Sequence, residues 1–327
     1  MRVLLTGATG FVGRNTAPLL AARGHRVRAA LRAPSESPWE PAVVGEIGPD
    51  TDWTAALAGV DSVVHMAARV HVMRDNAADP LAEFRRVNTA GTIRLAEQAA
   101  SAGVKRFVFL SSIKAVVDES RPVSLDEATP PAPHSPYGVS KLEAERALAE
   151  ISARTGMELV VIRPPLVYGP GAAGNMRSLV KLVATGLPLP LGAIHNRRSL
   201  IYVGNLADAV ATVLEHPAAA GQTFLVQDGE PVSTAGLVQA IATALGRPAR
   251  LVPVPRPLMA LAAGLTGTRA LFDRLAGTLT VDDGPIRERL GWRPPHDLAS
   301  GLRATAEWFN ASRDRPRRRS RGRANGD

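Results

Sequence analysis

The sequence predicts an α/β fold in which a doubly wound parallel sheet is joined by a smaller, interleaved C-terminal subdomain. Short apolar segments alternate with helical segments through the first half of the chain, the pattern of a parallel sheet with crossover helices. The first apolar segment runs directly into a glycine-rich turn and a helix. The predicted division is a sheet domain over 1–165 with 196–225 returning to it, a subdomain mostly over 166–310, and a disordered basic tail over 311–327.

Composition restricts the chemistry. The chain has 327 residues, of which 45% are hydrophobic and only 4% aromatic, so its core must be built from Ala, Leu and Val. It has no Cys, which excludes disulfides and thiolate catalysis. Its seven His are scattered without metal-ligand spacing, so we expect no metal site.

The charge of the chain is concentrated at one end. Of the net charge of +9, residues 312–327 contribute +5 through seven Arg and two Asp. We interpret this tail as solvated, with weak adhesion to RNA or anionic lipid as the alternative. The N-terminus resembles no signal peptide, and residues 258–265 are far shorter than the ~20 apolar residues that span a bilayer. We expect a cytoplasmic protein with no membrane or specific nucleic-acid partner.

The glycine-rich turn predicts a dinucleotide site. It follows the strand Val3–Leu5 and precedes a helix over Asn15–Arg23, and its glycines are Gly7, Gly10 and Gly13, with Phe11 and Val12 between the last two. Glycines at this place let the backbone approach a pyrophosphate, which sits at the positive end of the helix. The sheet is therefore expected to be of the Rossmann type.

The second strand, Arg26–Leu31, ends where an NAD-binding protein usually has an acidic residue for the ribose hydroxyl. Arg32 stands there instead. Because an Arg suits a 2′-phosphate, NADP is favoured over NAD. The alternative is that Arg32 stacks on adenine or points to solvent.

The next two strands add candidate cofactor contacts. A third strand is predicted over Val43–Ile47, with Glu46 and Ile47 bordering the adenine. After a short helix over 53–58, a fourth strand over 62–68 ends in Ala67 and Ala68, which are small enough for backbone to approach the cofactor. We interpret His65, in the same strand, as structural.

A long helix over 81–103 carries Asn88 and Gly91, and a fifth strand over 107–112 ends in Ser111 and Ser112. The ends of parallel strands meet at one edge of a sheet, where ligands bind. The strand ends named so far should therefore form one site.

Tyr137 and Lys141 supply a candidate proton shuttle. Pro136 suits a helix start, and residues i and i+4 share one face of a helix. A free Tyr titrates near ~10, and a fixed cation nearby favours its phenolate and lowers its pKa into a working range. The remaining predicted elements are strands over 158–163, 200–203 and 222–228 and a helix over 234–245.

Several motifs together resemble the extended short-chain dehydrogenase/reductases, in particular the nucleotide-sugar epimerase/dehydratase group, over residues 1 to 310. The motifs are Thr6–Gly13, His65–Ala68, Asn88-x-x-Gly91, Ser111–Ser112, Tyr137-x-x-x-Lys141, Pro164–Pro170 and Arg198–Val203. The segments 67–72, 111–114 and 197–200 are closer to a bacterial subgroup described as UDP-glucose 4-epimerase-like or as 4-keto reductases for surface polysaccharide.

The resemblance implies roles for individual residues. Tyr137 would be the acid and base at the sugar 4-oxygen, Lys141 would bind the nicotinamide ribose, and Ser112 would bind the reacting oxygen. Ser111, Pro164 and Val167 would line the cofactor. Asn88 would brace the site beside the cofactor, although it is equally compatible with a structural, helix-bending role.

On the substrate side, Asn175 and Arg198 correspond to family positions that contact the nucleotide diphosphate, and a surface role for Arg198 is the alternative. If the fifth strand continues, Lys114 faces the same way as Ser112 and reaches substrate; the alternative is a Lys in solvent. Family analogy also implies a homodimer formed through helices near 83–102 and 137–154.

The motifs are shared by enzymes of several activities and by non-catalytic proteins. A 4,6-dehydratase needs an Asp-Glu pair where this chain has Ile113 and Lys114, so we reject it. Epimerisation or net reduction at C4 of a UDP-hexose remains, and Arg32 favours reduction slightly. A reductase of hydrophobic ketones shares the motifs, but Asn175 and Arg198 argue against it. A non-catalytic dinucleotide-binding protein is the last alternative, and the presence of both Tyr137 and Lys141 argues against it.

Overall fold

A computed structural model describes residues 1–70, 79–121 and 123–314. The predicted tail from residue 315 onwards, and residues 71 and 72 of one family motif, lie outside the described residues. Nine strands occur in that part of the chain: β1 (Arg2–Thr6), β2 (Arg26–Leu31), β3 (Glu40–Val43), β4 (Ser62–His65), β5 (Arg106–Leu110), β6 (Glu158–Arg163), β7 (Leu166–Tyr168), β8 (Leu200–Tyr202) and β9 (Thr223–Leu225).

Seven of these strands form one parallel sheet in the order β3-β2-β1-β4-β5-β6-β9. The register pairs Leu5 of β1 with Ala29 of β2 and with Val64 of β4. The order reverses direction at β1, so the sheet is doubly wound, as the alternation of strands and helices predicts. The carboxyl ends of β1, β4 and β5 therefore lie side by side.

Helices cover both faces of the sheet. In the described part of the chain they are α1 (Phe11–Ala22), α2 (Thr54–Leu57), α3 (Pro80–Phe84), α4 (Gly91–Ser101), α5 (Pro136–Thr155), α6 (Gly174–Ala184), α7 (Val203–Glu215), α8 (Thr234–Ala244), α9 (Arg256–Leu265), α10 (Arg269–Ala276), α11 (Gly284–Leu290) and α12 (Leu298–Asp314). The apolar residues of α1 and α7 pack on one face, and those of α2, α4 and α5 on the other. Alternate strand residues such as Leu5 and Leu4 point into these two layers.

The third strand is displaced from its predicted position. It spans Glu40–Val43 rather than Val43–Ile47. Gly45 has a left-handed backbone, with φ +74°, which ends extended structure. Glu46 and Ile47 consequently lie in a loop, where Thr51 donates a side-chain hydrogen bond to the Glu46 carbonyl.

Three other predicted strands are shorter in the structure. The fourth ends at His65, the fifth at Leu110, and the last sheet strand spans Thr223–Leu225. These strands were predicted too long because apolar or small residues, which are typical of buried strands, also occur in the loops beyond the strand ends. The strand ends, and the loops that follow them, form the site.

The long helix predicted over 81–103 is present but is not uniform. A π-helical segment, Arg85–Ala90, separates α3 from α4. Such a segment inserts an extra residue into the turn and is common at functional sites. It turns Asn88 inwards, where it is 1% exposed.

The C-terminal half contains the two-stranded sheet β7-β8 and its own apolar cluster, contributed mainly by α6, α8 and α12. β9 returns to pair with β6 in the large sheet. The last helix continues to Asp314, beyond the predicted boundary at residue 310, and Leu302, Ala306 and Phe309 are buried along one side of it. Among the described residues, no helix is both long and apolar enough to cross a membrane.

Candidate active site

The glycine turn brings three backbone segments together. Gly7 has φ +71°, and a Cβ there would lie 2.9 Å from the Ala67 nitrogen. A Cβ on Gly13 would lie 2.1 Å from the Gly7 oxygen. Both glycines are therefore required for the close approach of β1, α1 and the loop after β4. Gly10 is the N-cap of α1, so the N–H groups of Phe11 and Val12 have no acceptor within the helix and suit an anion.

A buried hydrogen-bonded chain links this turn to the middle of the site. Thr6 Oγ1 accepts from the Met66 and Ala67 N–H groups, both at 3.1 Å, and therefore donates its own proton to His65 Nδ1 at 2.7 Å. His65 Nε2–H donates to Thr92 Oγ1 at 2.9 Å, and Thr92 donates to the Asn88 carbonyl at 2.7 Å. Burial lowers the pKa of His65 to about 3, so this His is neutral and structural.

Asn88 extends the chain to the helix that carries Tyr137. Its Oδ1 accepts from the Arg69 N–H at 2.7 Å, and its Nδ2 donates to the Arg69 carbonyl at 3.0 Å and to Ser140 Oγ at 3.1 Å. Both N–H groups of this amide and its oxygen are therefore hydrogen-bonded within the protein. Asn88 is therefore placed to hold the loop after β4 against α5, the bracing role among the two interpretations of the sequence.

The start of α5 is fixed by its own sequence. Ser135 caps it by accepting from the Gly138 N–H at 3.1 Å, and Pro136 occupies the first turn. Asp118 accepts from the His134 and Ser135 N–H groups at 2.6 and 2.7 Å. The capped turn sets the direction in which Tyr137 leaves the helix.

Gly138 lets this helix approach β5. A Cβ at this position would lie 2.3 Å from the Lys114 carbonyl oxygen, so any other residue pushes α5 away from the loop that carries Ser112. Sequence analysis missed the role of Gly138 because this glycine lies inside a helix and not in a turn that needs a positive φ. Its adjacency to Tyr137 is the only sequence signal.

Ser112 and Tyr137 meet across this contact. Burial raises the pKa of Tyr137 to about 12, and a side-chain hydrogen bond with Ser112 opposes part of that rise. Ser112 Oγ also accepts from the Lys114 N–H at 3.2 Å and so caps a short 3₁₀ turn, Ile113–Ala115. The strand does not continue to Lys114, so the argument that Lys114 and Ser112 share a strand face is wrong.

Lys141 follows Tyr137 by one turn of α5. It is 2% exposed, its Nζ donates to the Leu110 carbonyl at 2.9 Å, and it lies 4.4 Å from the centre of the Phe109 ring. Burial lowers the pKa of Lys141 to about 7, and Glu145 opposes that change. The pKa of Tyr137 is thus raised rather than lowered as expected, because burial dominates and the ammonium is directed at a carbonyl.

Two charged residues beside Lys141 were missed in the sequence. Glu145 lies one further turn along the same face of α5, and both its oxygens accept from buried Arg163 at the end of β6, the Nη2 contact being 2.5 Å. The spacing of Tyr137, Lys141 and Glu145 at i, i+4 and i+8 is the signal that would have found it.

Ser111 has a different environment from Ser112. It is 3% exposed, and its Oγ has no hydrogen-bond partner in the described part of the chain. Its N–H donates to the Ile162 carbonyl at 2.8 Å, while the Ile113 N–H donates to the Pro164 carbonyl at 2.9 Å. These bonds bring the turn after β6, with Pro164 and Val167, against the end of β5.

The outer cofactor candidates lie at the edge of the sheet. Arg32 is exposed directly after β2 and makes no hydrogen bond or ion pair in the described residues. Ile47 packs against the helix, since a Cβ on Gly91 would lie 2.7 Å from its Cγ2. Glu46 is exposed.

Three basic residues lie close to one another where the sequence predicts substrate binding. Arg198 Nη1 donates to the Arg274 and Gly277 carbonyls, at 2.5 and 3.2 Å, and burial lowers the pKa of Arg198. Burial also lowers the pKa of Lys114, Asp118 opposes that change, and Arg274 adds to it. Arg274 thus joins Lys114 and Arg198, a role missed in the sequence. Asn175 is exposed in the first turn of α6, and no contact among the described residues joins it to this group.

Two observations show that the site fits a dinucleotide. Gly7 and Gly13 leave a cradle that a Cβ would fill, at the unpartnered N–H groups of α1. At the adjacent strand end, the buried Ser111 hydroxyl has no hydrogen-bond partner among the residues that the structure describes. For a metal the donors are missing: no cluster of three His, Asp or Glu residues occurs in the described ranges.

The fold and site define an oxidoreductase-type enzyme of the extended short-chain dehydrogenase/reductase class. Comparison with known families agrees: the model of the NAD dependent epimerase/dehydratase family matches residues 3–226. The chain belongs to this family.

Individual relatives are also similar along most of the chain. A UDP-glucose 4-epimerase of Vibrio cholerae is 45% identical over 318 residues, covering 96% of this chain and 97% of that protein. A 3-beta-hydroxysteroid dehydrogenase of Mycolicibacterium neoaurum is 33% identical over 260 residues, covering 75% of this chain and 70% of that protein. A structure of MoeE5 in complex with UDP-glucose and NAD is 26% identical, with a TM-score of 0.73, and the match covers 95% of this chain and 99% of MoeE5.

Proposed function

We propose that this enzyme interconverts the C4 epimers of a UDP-hexose. The observation that carries the proposal is the Ser112–Tyr137 pair, one helical turn from buried Lys141, at the carboxyl edge of the sheet that also carries the glycine turn. The UDP-glucose 4-epimerase activity of the Vibrio cholerae relative supports it, since the match extends along both chains.

The chain's own part in the reaction is proton transfer. Tyr137 Oη takes the proton of the C4 hydroxyl as hydride leaves C4, and it returns a proton to the C4 oxygen as hydride comes back on the opposite face, while Ser112 Oγ orients the sugar oxygen. With a pKa of about 12, Tyr137 holds its own proton near neutral pH, so it must release that proton to solvent before it acts as the base. A bound nicotinamide supplies the hydride acceptor and donor.

The candidate cofactor contacts divide by region. Gly7, Gly10, Phe11, Val12 and Gly13 would hold the pyrophosphate through backbone groups, and Lys141 the nicotinamide ribose. Ala67, Ala68, Ser111, Pro164 and Val167 would line the nicotinamide half, and Arg32, Glu46 and Ile47 the adenosine half. Asn88 would act by bracing, because its amide is engaged by Arg69 and Ser140.

The cationic group formed by Lys114, Arg198 and Arg274 would bind the substrate diphosphate, with Asn175 as an additional contact. Arg guanidinium groups bind phosphate through paired hydrogen bonds, and the UDP-glucose complex of MoeE5 supports this substrate class. Such a cluster argues against a hydrophobic ketone or steroid as substrate.

A second candidate is the reduction of a UDP-4-keto sugar with NADPH. Exposed Arg32 favours it, because a 2′-phosphate would find a cation there, whereas an epimerase that retains NAD gains nothing from that charge. Either activity, in a cytoplasmic homodimer packed through α4 and α5, would supply sugars for surface polysaccharide.

The experiment compares two reactions of the purified protein. In one, UDP-glucose and UDP-galactose are incubated separately without added coenzyme, and the C4 epimer is followed by NMR. In the other, a UDP-4-keto-6-deoxy-N-acetylhexosamine is mixed with NADPH or NADH, and the nicotinamide absorbance is followed. Conversion in the first reaction, abolished by Tyr137→Phe, supports the epimerase. Coenzyme consumption in the second without conversion in the first supports the reductase, and inactivity in both contradicts both proposals.

A further inference from the structure

A buried ion pair lies next to Lys141, and proton transfer by Tyr137 does not use it. Glu145 follows Lys141 by four residues, so the two side chains lie on the same face of α5. Glu145 accepts from Arg163 at the end of β6, at 3.1 and 3.2 Å from Nε and at 2.5 Å from Nη2. The two residues are only 7% and 8% exposed. Because an apolar pair of similar volume is often at least as stable as a buried ion pair, stability alone does not account for these charges.

The Lys141 ammonium is buried without an anion in direct contact. Among the residues that the structure describes, it donates to the Leu110 carbonyl and lies 4.4 Å from the centre of the Phe109 ring. Neither group carries a full negative charge, and burial keeps water from solvating the ammonium. The surroundings in direct contact therefore favour the neutral amine, and a nearby carboxylate would favour the charged form.

Glu145 is the anion within electrostatic reach of Lys141. Its carboxylate opposes the lowering of the Lys141 pKa that burial causes. From β4, His65 also lies within reach of Lys141, but burial lowers the pKa of His65 to about 3 and leaves it neutral. Tyr137, one turn earlier on α5, is uncharged near neutral pH, because burial raises its pKa to about 12. From β6, Arg163 is a second cation, and its guanidinium is bound to Glu145.

Charges on the other elements that pack against α5 are engaged at the surface. Arg85, on the π-helical segment, pairs with Glu143 of α5. Glu97, on α4, pairs with Arg154 in the last turn of α5. These pairs are exposed to solvent, which screens their charges from the buried ammonium. Within the described ranges, Glu145 is therefore the buried acid that serves Lys141.

We propose that Glu145, fixed by Arg163, is a positioning residue that keeps the Lys141 ammonium charged inside the site. Arg163 binds the carboxylate through two donor groups, so the negative charge stays on the Lys141 face of α5. The charged ammonium can then bind the nicotinamide ribose and favour the Tyr137 phenolate. The inference rests on the proposed function in one respect, which is the use of the Lys141 charge during the reaction.

The test is urea denaturation of the cofactor-free protein from about pH 5 to about pH 10, with and without Glu145→Gln. The pKa of Lys141 is lower in the folded chain than in the unfolded chain, so the free energy of unfolding rises with pH from the folded-state pKa upwards. Without the carboxylate that pKa falls further, and the rise should begin about one pH unit lower. An ion pair with a purely structural role would instead lower the free energy of unfolding equally at every pH.

Glu143→Gln is the matched control. It removes the same charge from the same helix, on the side that faces Arg85, so its rise should begin at the pH found for the unaltered protein. Glu145→Asp keeps a carboxylate on a shorter side chain. It should be less stable than the unaltered protein, but the pH at which its rise begins should return towards the unaltered value.

A Lys141→Met background tests whether the effect acts through Lys141. There Glu145→Gln should change the free energy of unfolding equally at every pH, because the titrating group is gone. If Glu145→Gln alone does not fold, Glu145→Gln combined with Arg163→Met removes both buried charges. The rise in this double variant should still begin at a lower pH, since it is the Glu145 charge that acts on Lys141.

Two results overturn the positioning role. One is a rise that begins at the same pH in Glu145→Gln and Glu143→Gln, and the other is a shift that persists in the Lys141→Met background. Neither measurement needs substrate or coenzyme, so a wrong proposal for the reaction would leave them unchanged. In the active enzyme, the limb of the kcat/KM profile at which Lys141 loses its proton should move to lower pH in Glu145→Gln alone. A profile that does not move would overturn the use of this charge in the reaction.

Discussion

The ammonium nitrogen of Lys141 donates a 2.9 Å hydrogen bond to the carbonyl oxygen of Leu110, the last residue of β5. This bond fixes the helix that carries Tyr137 to the strand whose next residues are Ser111 and Ser112. Lys141 therefore holds α5 against β5, in addition to its proposed role in binding the nicotinamide ribose.

The first prediction concerns Tyr137. Replacing it with Phe removes the hydroxyl but keeps the ring that packs edge-on against Phe84, 6.1 Å between centroids. We expect kcat to fall by roughly 10² to 10⁴ while the thermal unfolding temperature is nearly unchanged. Tyr202→Phe is the matched control, because its ring contacts Tyr168 and His296 away from Ser112, and it should retain activity. Comparable loss in both variants would contradict the assignment.

The second prediction concerns the pH dependence of stability. The folded-state pKa of Lys141 is lowered to about 7 from 10.5, so between these values the unfolded chain holds a proton that the folded chain has released. The free energy of unfolding therefore gains from Lys141 as pH rises, by about 2 kcal/mol between pH 7 and pH 9. Below pH 7 the penalty of the buried charge is fully present.

Urea denaturation of the cofactor-free protein at several pH values measures this effect. In Lys141→Met the gain between pH 7 and pH 9 should be absent, so the variant should be relatively most stabilised at low pH. Parallel pH curves for the variant and the unaltered protein would show that Lys141 keeps its ordinary pKa in the fold.

The third prediction concerns Gly138. In Gly138→Ala the new Cβ would lie 2.3 Å from the Lys114 carbonyl oxygen, so α5 must move away from Ser112. We expect the free energy of unfolding to fall by about 1–3 kcal/mol. We expect kcat to fall by a larger fraction of its value than the free energy of unfolding does. In Gly264→Ala, a helical glycine with nothing within 4 Å of its Cβ position, stability should be unchanged or higher. Equal behaviour of the two variants would contradict the close packing.

The fourth prediction concerns the hydrogen-bonded chain through His65. Thr92→Val leaves the buried His65 Nε2–H without an acceptor, and we expect a cost of about 1–3 kcal/mol in stability. Thr305→Val is the control: Thr305 is also buried and donates to the carbonyl four residues earlier, at 2.7 Å, without a His partner. The difference between the two variants isolates the His65 contact, and no difference would exclude a role for it in stability.

The fifth prediction concerns Arg32 and the coenzyme. Arg32→Ser should weaken NADPH binding by roughly tenfold and leave NADH binding nearly unchanged, since only NADPH carries the 2′-phosphate. Fluorescence titration of each coenzyme measures the two Kd values. Arg26→Ser, which removes an exposed Arg from the other end of β2, controls for net charge. If the ratio of the NADPH and NADH Kd values is the same in Arg32→Ser as in the unaltered protein, Arg32 points to solvent and does not bind the 2′-phosphate.

Much of the fold could be predicted from the sequence because the features that specify strands, helices and turns lie within short segments of the chain. The order of strands and helices, the glycine turn and the start of α5 at Pro136 all follow from periodicity, glycine placement and capping. The limits of β3 and β5 were wrong because apolar and small residues continue past the strand ends, where Gly45 and the cap formed by Ser112 stop the extended backbone.

Motifs likewise predicted which residue types occur at the candidate site, but they did not predict the pKa values or ion pairs of those residues. The sequence determined that Ser112, Tyr137 and Lys141 stand at positions that a parallel sheet brings to one edge. Only the tertiary structure decided that Lys141 binds the Leu110 carbonyl, that Glu145 meets Arg163, and that Arg274 joins Lys114 and Arg198. The physical reason is that pKa values and ion pairs depend on burial and on partners distant in the chain, which no local pattern encodes.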